Sequence, residues 1–412
     1  LAALAGAARS LRFAPGLRGF ESPEAPRALP TEVLRHVLHL VPGALVVAWT
    51  TGGQAATLLQ TDGARPLAVK EVHAGNIFDV QFFPAGDRLV TVDPFGATAA
   101  IWDAHSGRVL HTLRHDAKAK HALFDAQVFP GGDRVATLCS DGSVTIWSAS
   151  TGKLLQRSNV AGASEHSEVR VIPNSDLLVV GVSGLSQDLA IVWNISRRGP
   201  QYSLRSPGEE IRLLEVSPCG TKLVTAGTEQ VRVWSVATGA MERELEEARA
   251  WMCEVGISSG GARIVGSVFR AVHVWSGRSG EVAFRLPATG PGYPRFALQE
   301  RLGRVVVVSS SGASIWDLAS GRQVLGLDAQ PTGPARTVER AQVSPCGRVV
   351  AACGSLRTKA PGHEFHWVAV WSAITGQVLH TAEEHDPRGI SWLCSVAVGR
   401  RPSMGELLLG GA

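Results

Sequence analysis

Short runs of alternating apolar and polar residues recur along the chain, and each run closes on a turn sequence. Examples are FDVQFFPAGD, ALFDAQVFPGGD, LLEVSPCG and RAQVSPCG. Alternation at period two is typical of a half-buried strand, and a Pro-x-Gly sequence is typical of a tight turn. Each run therefore predicts a β-strand that ends in a turn.

A common order of elements follows each of these runs. There is a short apolar segment such as RLVTV or KLVTAG, then a segment ending in Trp and a small polar residue. A Ser-Gly or Thr-Gly turn follows, and then a fourth segment such as RVLHTL. The glycine supplies the positive φ that a hairpin turn needs. The order predicts a unit of four strands, which we name a, b, c and d.

Seven tryptophans occupy the same place, on strand c, in successive units. They are separated by 45, 46, 41, 41, 41 and 55 residues and are Trp102, Trp147, Trp193, Trp234, Trp275, Trp316 and Trp371. A period of about 40–45 residues is typical of four-stranded units repeated around an axis. One such sheet cannot bury both of its faces alone, so the units are expected to stack. We interpret the seven indoles as core between units, each burying about 150–250 Å².

The series of units resembles the WD-repeat β-propeller family over residues 31–412. In that family a His before strand a, a Ser or Thr on strand b, an Asp in the b–c turn and the strand c Trp form a hydrogen-bonded network. The resemblance gives most of this set to one unit, with His115 or His121, Thr137, Asp141 and Trp147. Other units depart from the pattern, for example with Gly96 or Phe269 in place of the Asp. The resemblance therefore implies a divergent propeller.

The predicted fold class is all-β, a β-propeller of four-stranded antiparallel blades with seven or eight blades. A copy without the tryptophan precedes the others; its strand a is predicted at residues 35–43, with Leu58 in the place of Trp102. Residues 1–30 are predicted to be an N-terminal extension or linker. The propeller covers residues 31–412, with repeats near 35–72, 73–114, 115–157, 158–205, 206–247, 248–287, 288–328, 329–383 and a partial copy at 384–412.

The partial copy carries strands a and b of a ninth unit and lacks strand c. An upstream segment could complete it, the chain could be truncated, or the chain could continue into a second propeller. The family resemblance implies that such a ring closes when its first and last blades share strands.

Composition excludes several other classes of protein. The 412 residues are 45% hydrophobic and 18% charged, which is typical of a globular chain. The net charge is +4 without a run of about five basic residues, so we do not expect nucleic acid as a partner. No stretch of about 18 apolar residues exists, so no membrane span is expected.

Cysteine usage favours a reducing compartment. The six cysteines form no CxxC pair and are too sparse for a disulfide scaffold, so we expect reduced thiols and a cytoplasmic location. Residues 1–20 contain Ala, Arg and Ser but no acid, which resembles an organelle transit peptide. Organelle import is therefore the alternative.

The sequence contains no recognisable catalytic, cofactor or metal motif. Thr151-Gly152-Lys153 lacks the first glycine of a phosphate-binding loop and falls in a c–d turn. His363 and His366 lie in a Pro/Gly-rich insertion predicted to be a loop, with no Cys or Asp cluster at zinc-like spacing. No His or carboxylate is repeated at the starts of strand a, as an active site in a central channel would need. We predict no catalysis, no cofactor and no metal.

One end of the predicted propeller carries large side chains where turns usually prefer Gly, Asn or Asp. The b–c turns and the starts of strand a share this end. Aromatic residues and Arg dominate the hot spots of protein interfaces. The candidate partner-binding residues are Phe95, Trp251, Phe269, Arg270, Tyr293, Arg295, Arg388 and Trp392. For each residue alone, packing against its own loop is the alternative.

The predicted function is a non-catalytic scaffold that presents a rigid propeller face to other proteins in a multiprotein complex. One alternative is a propeller-class enzyme with a site in the central channel. The other is a reader of an acidic or nucleic-acid surface, which would use the excess of arginine over lysine. The resemblance does not identify the partner.

Overall fold

The structure is a computed structural model. It describes residues 44–51, 56–60, 66–67, 79–93, 97–104, 106, 108–115, 122–160, 167–182, 188–205, 211–227, 230–246, 252–288, 290, 292–310, 312–327, 338, 340–343, 347–357, 364–386 and 392–400.

These residues form 32 strands and one 3-10 turn at Glu300–Leu302. The strands are β1 (Ala44–Thr51), β2 (Ala56–Gln60), β3 (Pro66–Leu67), β4 (Asp79–Phe82), β5 (Arg88–Asp93), β6 (Thr98–Asp103), β7 (Val109–Arg114), β8 (Leu123–Val128), β9 (Arg134–Cys139), β10 (Ser143–Ser148), β11 (Leu154–Asn159), β12 (Val169–Val171), β13 (Leu177–Gly181), β14 (Asp188–Asn194), β15 (Gly199–Arg205), β16 (Leu213–Val216), β17 (Lys222–Ala226), β18 (Val231–Ser235), β19 (Met241–Glu244), β20 (Glu254–Ile257), β21 (Arg263–Val268), β22 (Ala271–Ser276), β23 (Val282–Pro287), β24 (Arg295–Gln299), β25 (Arg304–Ser309), β26 (Gly312–Asp317), β27 (Gln323–Leu327), β28 (Arg340–Val343), β29 (Val349–Arg357), β30 (Glu364–Ser372), β31 (Val378–Asp386) and β32 (Trp392–Arg400).

The strands pair into eight four-stranded antiparallel sheets, which we call blades. Blade 1 has the order β3-β2-β1-β32, and blades 2 to 8 take four consecutive strands each, from β4–β7 to β28–β31. The a strands contact one another in succession from β4 to β28, and β32 contacts both β28 and β4. The sheets therefore close into an eight-bladed β-propeller, and the predicted fold class is confirmed.

The ring closes at blade 1, where β32 supplies strand a. It pairs with β1 from Ala44 opposite Arg400 to Thr51 opposite Trp392. Of the alternatives for the partial copy, completion by an upstream segment is the one observed, since β1, β2 and β3 supply strands b, c and d beside β32. The segment therefore does not begin a ninth unit; it covers the free edge of the first copy. Residues 35–43, predicted as strand a of that copy, lie outside the described residues, and β32 occupies the edge of β1 that they would pair with.

The seven tryptophans hold one register. Each lies on strand c opposite the second residue of strand b, as Trp102 lies opposite Leu89 and Trp371 opposite Val350. Five indoles are almost fully buried, and those of Trp193 and Trp316 are half-buried against the clusters between blades. Blade 1 departs from the alignment, since Leu58 pairs with Val47 and lies two residues away from the tryptophan position.

The insertion in blade 8 lengthens its strands. Each of β29, β30 and β31 has nine residues, and β29 pairs with β30 out to Arg357 opposite Glu364. The loop predicted across this insertion is therefore wrong at both of its ends. The extended pairing satisfies backbone groups that a loop would leave to solvent.

The c–d turn glycines pack against the outer strand of the preceding blade. Gly321 has a φ of 67°, and a Cβ on it would clash with Cδ1 of Phe284 on β23. The same contact joins Gly152 to His111 and Gly239 to Tyr202. Glycine is required at this position for two reasons: the backbone is left-handed, and the neighbouring blade approaches closely.

Ring closure by β32 can be tested with the native Cys394, which lies opposite Thr50. Directly opposed residues have Cα atoms about 4.5–5.5 Å apart, within disulfide range. Thr50→Cys should therefore form an intramolecular disulfide under mild oxidation, seen as faster migration on a non-reducing gel. The bond should raise the free energy of unfolding by about 2–4 kcal/mol.

The matched control for this cross-link is Val47→Cys, because Val47 lies opposite Ala397, three residues along β32 from Cys394. This variant should stay reduced. A disulfide in Val47→Cys and none in Thr50→Cys would contradict the register of blade 1.

The crowding at Gly321 predicts a stability difference between two left-handed glycines. Gly303 has a φ of 59° and open space around its Cβ position, whereas Gly321 faces Phe284. Gly303→Ala should cost about 1–2 kcal/mol of unfolding free energy through backbone strain alone. Gly321→Ala should cost about 1–3 kcal/mol more, because the added methyl overpacks the contact. Chemical denaturation of both variants measures the difference, and equal losses would show that the contact carries no energy.

Candidate functional site

Phe269 and Tyr293 form an aromatic pair at the b–c end of the propeller, in which Phe269 is exposed and Tyr293 is partly buried. Phe269 lies in the turn between β21 and β22, and 58% of it is exposed. Its ring meets that of Tyr293 edge to face, with centroids 5.7 Å apart and an interplanar angle of 71°. Tyr293 precedes β24, so the pair bridges blades 6 and 7.

Arg270 lies beside this pair in a conformation that non-glycine residues rarely adopt. Its φ is 64°, and the residue in the same place before strand c is Gly142 in blade 3. The Arg270 N–H donates to the Gly292 carbonyl at 3.0 Å, and its own carbonyl accepts from Ala288 N at 3.2 Å. The arginine side chain is exposed, and no hydrogen bond or ion pair holds its guanidinium within the described part of the chain.

The turn and the loop that follows blade 6 are tied into one unit. Besides the two backbone bonds of Arg270, the Ser267 hydroxyl donates to the Pro294 carbonyl. We call the surface made by Phe269, Arg270 and Tyr293 the aromatic platform. Its backbone is fixed by contacts between two blades, so the entropic cost of ordering these loops on binding a partner would be small.

Arg295 does not belong to this exposed face, and its assignment as a partner-binding residue is wrong. Its residue is 5% exposed, and Nη1 donates to the Cys253 carbonyl at 3.2 Å. The cause is its position at the start of an inner strand, where the side chain lines the central channel. Phe95, Trp251 and Arg388 lie outside the described residues, as does the side chain of Trp392, whose backbone begins β32.

Carboxylates converge on the channel from four consecutive inner strands or their starts. They are Asp125, Glu168, Glu215 and Glu254. The expectation that no carboxylate is repeated there is therefore wrong. The sequence does carry a signal for these groups, which is one acidic residue in the strand a segment of each of the four blades. The repeat is hard to recognise because the acid is Asp in one blade and Glu in the others. In addition, Glu215 lies two residues further along its strand than the other three acids do.

One arginine, Arg170, forms ion pairs with three of these carboxylates. Arg170 Nη1 lies 3.0 Å from Asp125 Oδ2, Nη2 lies 2.9 Å from Glu168 Oε2, and Nε lies 3.7 Å from Glu215 Oε2. Its side chain is 11% exposed, so the charges are shielded from salt. The ion pairs link blades 3, 4 and 5 around the channel.

The inner strands also donate backbone hydrogen bonds to side chains of the preceding blade. Asp125 Oδ2 accepts from Val169 N at 3.0 Å, and Glu254 Oε2 accepts from Phe296 N at 3.2 Å. Gln81 Oε1 accepts from Val128 N at 2.7 Å in the same manner. An inner strand has one edge without a neighbouring strand, and buried N–H groups on that edge need acceptors. The channel carboxylates therefore serve the packing of blades.

The cavity in the channel offers little for chemistry. Its volume is about 290 Å³, at the lower end of the roughly 300–1,000 Å³ of ligand sites, and Glu215, Glu254 and Arg295 are in its wall. Burial raises the pKa of the Cys253 thiol, with nearby Arg295 opposing it, so this thiol stays protonated near neutral pH. Among the described residues no three His, Cys, Asp or Glu side chains are placed to hold a metal ion.

Three of the four residues expected from the family resemblance are joined by hydrogen bonds around Trp147, with His115 as the histidine. Trp147 Nε1 donates to Thr137 Oγ1 at 2.8 Å, and His115 Nε2 lies 2.6 Å from the same oxygen. Asp141 accepts from Ser143 N at 2.8 Å and pairs with Arg157 at 3.1 Å. His121 lies outside the described residues.

Other blades keep only part of this network. Trp102 donates to Thr91 and Trp234 donates to Thr225, at 2.8 and 2.9 Å. Trp193 Nε1 is buried and has no acceptor among the residues that the structure describes, because Val180 stands at the equivalent place on strand b. The blades therefore differ in how their buried polar groups are satisfied.

Burial of His115 predicts a loss of stability in acid. Desolvation, helped by Arg157 and opposed by Asp141, lowers the pKa of His115 to about 4 from 6.5. The unfolded chain then binds the extra proton, so the free energy of unfolding falls as pH drops from about 6.5 to 4. The His115 contribution to this loss should be up to about 3 kcal/mol.

His115→Gln removes this titration and keeps a hydrogen-bonding side chain. Denaturation of both proteins at pH 7, 5.5 and 4 isolates His115, since every other group is common to both. The variant should show the shallower decline. The same slope in both proteins would contradict a buried neutral imidazole.

Comparisons with known proteins agree with the fold. The family model PQQ_2, described as outer membrane protein assembly factor BamB, matches residues 34–189, which is less than half of the chain. A search of curated proteins finds no match. Among solved structures, the chain is similar to the computationally designed Ika8 protein, with a TM-score of 0.59 and 18% identity over 76% of this chain and 88% of that one. At that identity the likeness extends to the fold alone.

No helix in the part of the chain that the structure describes has the length and hydropathy needed to cross a membrane.

Proposed function

We propose that this eight-bladed β-propeller is a non-catalytic scaffold that presents its b–c end to a protein partner within a multiprotein complex. The observation that carries the proposal is the aromatic platform, where Phe269 is 58% exposed and lies edge to face against Tyr293. An aromatic pair with one exposed ring, beside an exposed arginine, has the composition of an interface hot spot.

The Arg270 side chain adds a cation to the aromatic rings. Its left-handed backbone costs of order 1–3 kcal/mol, but the same place before strand c holds the left-handed Ala97 in blade 2 and Gly142 in blade 3. The support for binding therefore comes from the exposed guanidinium, which has no ion pair within the described part of the chain, and not from the backbone strain.

We also propose that the blades are WD repeats. The common register of seven tryptophans and the His115–Thr137–Trp147 network support this finer assignment. The family model that matches residues 34–189 is described as an assembly factor, which is in keeping with a scaffold role.

The enzyme alternative has less support. Asp125, Glu168 and Glu215 lie in ion pairs with Arg170, and Glu254 accepts an N–H from the next blade. Groups engaged in this way are already used for packing, and the channel cavity is small.

The scaffold role can be tested by quantitative affinity capture from native lysate of cells that make the protein. Proteins retained by the wild type should be lost, by at least about tenfold, with Phe269→Ala, because truncation of a hot-spot aromatic costs about 2 kcal/mol or more. Arg270→Gly should lose them too. Its stability should stay within about 1 kcal/mol of wild type, because relief of strain offsets the added chain entropy.

Leu110→Ala is the matched control, since Leu110 is an apolar residue with 43% exposure on the outer strand β7. It should retain every partner. Capture that is unchanged in Phe269→Ala and Arg270→Gly would reject this face as the docking site.

A further inference from the structure

We infer that the occupant of the aromatic platform is an acidic protein segment that carries an apolar side chain. The inference rests on the scaffold function proposed above and adds the chemistry of the partner. Phe269 and Tyr293 provide the apolar contact, and the Arg270 guanidinium provides the charge that a carboxylate would meet.

The charge balance at the platform favours an anion. The Arg270 guanidinium has no ion-pair partner within the described part of the chain, so a carboxylate that arrives displaces no internal one. A guanidinium can hold a carboxylate through two parallel hydrogen bonds, a geometry that a lysine cannot offer.

The groups closest in the chain add no opposing negative charge. Burial raises the pKa of the Tyr293 phenol above its ordinary value, so the ring stays neutral at neutral pH. Glu254, the acid at the start of the inner strand of the same blade as Phe269, lines the channel and accepts the Phe296 N–H. The platform therefore presents one cation beside two apolar rings.

The spacing of these groups sets the kind of segment that fits. Phe269 and Arg270 are adjacent in the chain, and Tyr293 is in edge contact with Phe269. One apolar residue on the rings would leave a carboxylate one or two positions away within reach of Arg270. A short extended segment with an acid next to an apolar residue meets both.

A random 12-residue phage-displayed peptide library, selected on the immobilised full chain, tests the partner chemistry before any partner is identified. Peptides enriched by the wild type, but not by Phe269→Ala, should carry Asp or Glu within two positions of an apolar residue. Selection on Arg270→Glu should enrich Lys or Arg at those positions instead. The reversal is the decisive result, because a change in fold would abolish selection and would not invert it.

A synthetic peptide of the enriched sequence then gives the magnitudes by fluorescence anisotropy. Arg270→Glu should weaken binding at least tenfold and Phe269→Ala about thirtyfold, while Leu110→Ala leaves it unchanged. A dT12 oligonucleotide serves as a non-peptide anion. Tighter, Arg270-dependent binding of the oligonucleotide than of the peptide would overturn the inference in favour of nucleic acid.

The outcomes separate the two proposals. Enriched peptides that need Phe269 but show no acidic preference would overturn the acidic partner and leave the scaffold face intact. Peptides that bind equally well to Phe269→Ala would overturn both.

Discussion

The stability of this fold depends on the packing of one blade against the next. A four-stranded sheet has two faces and two edges, and a single blade cannot bury any of them by itself. Each face is buried by the next blade, through apolar clusters that join strands b and c of neighbouring units. The strand c tryptophans supply much of that contact area. Backbone N–H groups on the edges of the inner strands donate to acceptors such as Asp125 and Glu254. The outer strands contact the c–d turn glycines of the following blade.

The repeat can be predicted because the residues that define it are local. A tryptophan, a turn glycine and a period-two segment recur within about 40 residues, and each has one physical meaning. The contacts between blades cannot be predicted in this way. Asp125 meets Val169 and Gly321 meets Phe284, and nothing in either segment alone marks its partner. Because the sequence of one segment does not mark its distant partner, the repeat pattern predicts a ninth unit, whereas β32 completes blade 1 by pairing with β1.

The candidate site shows this division residue by residue. The type of Phe269 and Tyr293 and their place at one end of the unit predict an exposed face, and the structure brings them together. Arg295 is also a residue type common in interface hot spots and has a similar place, yet its side chain is buried in the channel wall. Tyr293 and Arg295 are two residues apart, yet the first contacts Phe269 and the second lines the channel. A sequence pattern does not distinguish positions this close together. The strain at Arg270 is a backbone property that its sequence context does not reveal.

The pairing of β1 with β32 has a consequence for the making of the protein. Thr51 leaves the ribosome long before Trp392 does, and β32 is the strand that covers the edge of β1. At about 5–20 residues per second, that edge waits on the order of 20–70 s for its partner. During this interval blade 1 has an open strand edge, the kind of surface that pairs with other chains. The ring therefore closes only when β32 is available, and we expect nascent chains to depend on chaperones until β32 is synthesised.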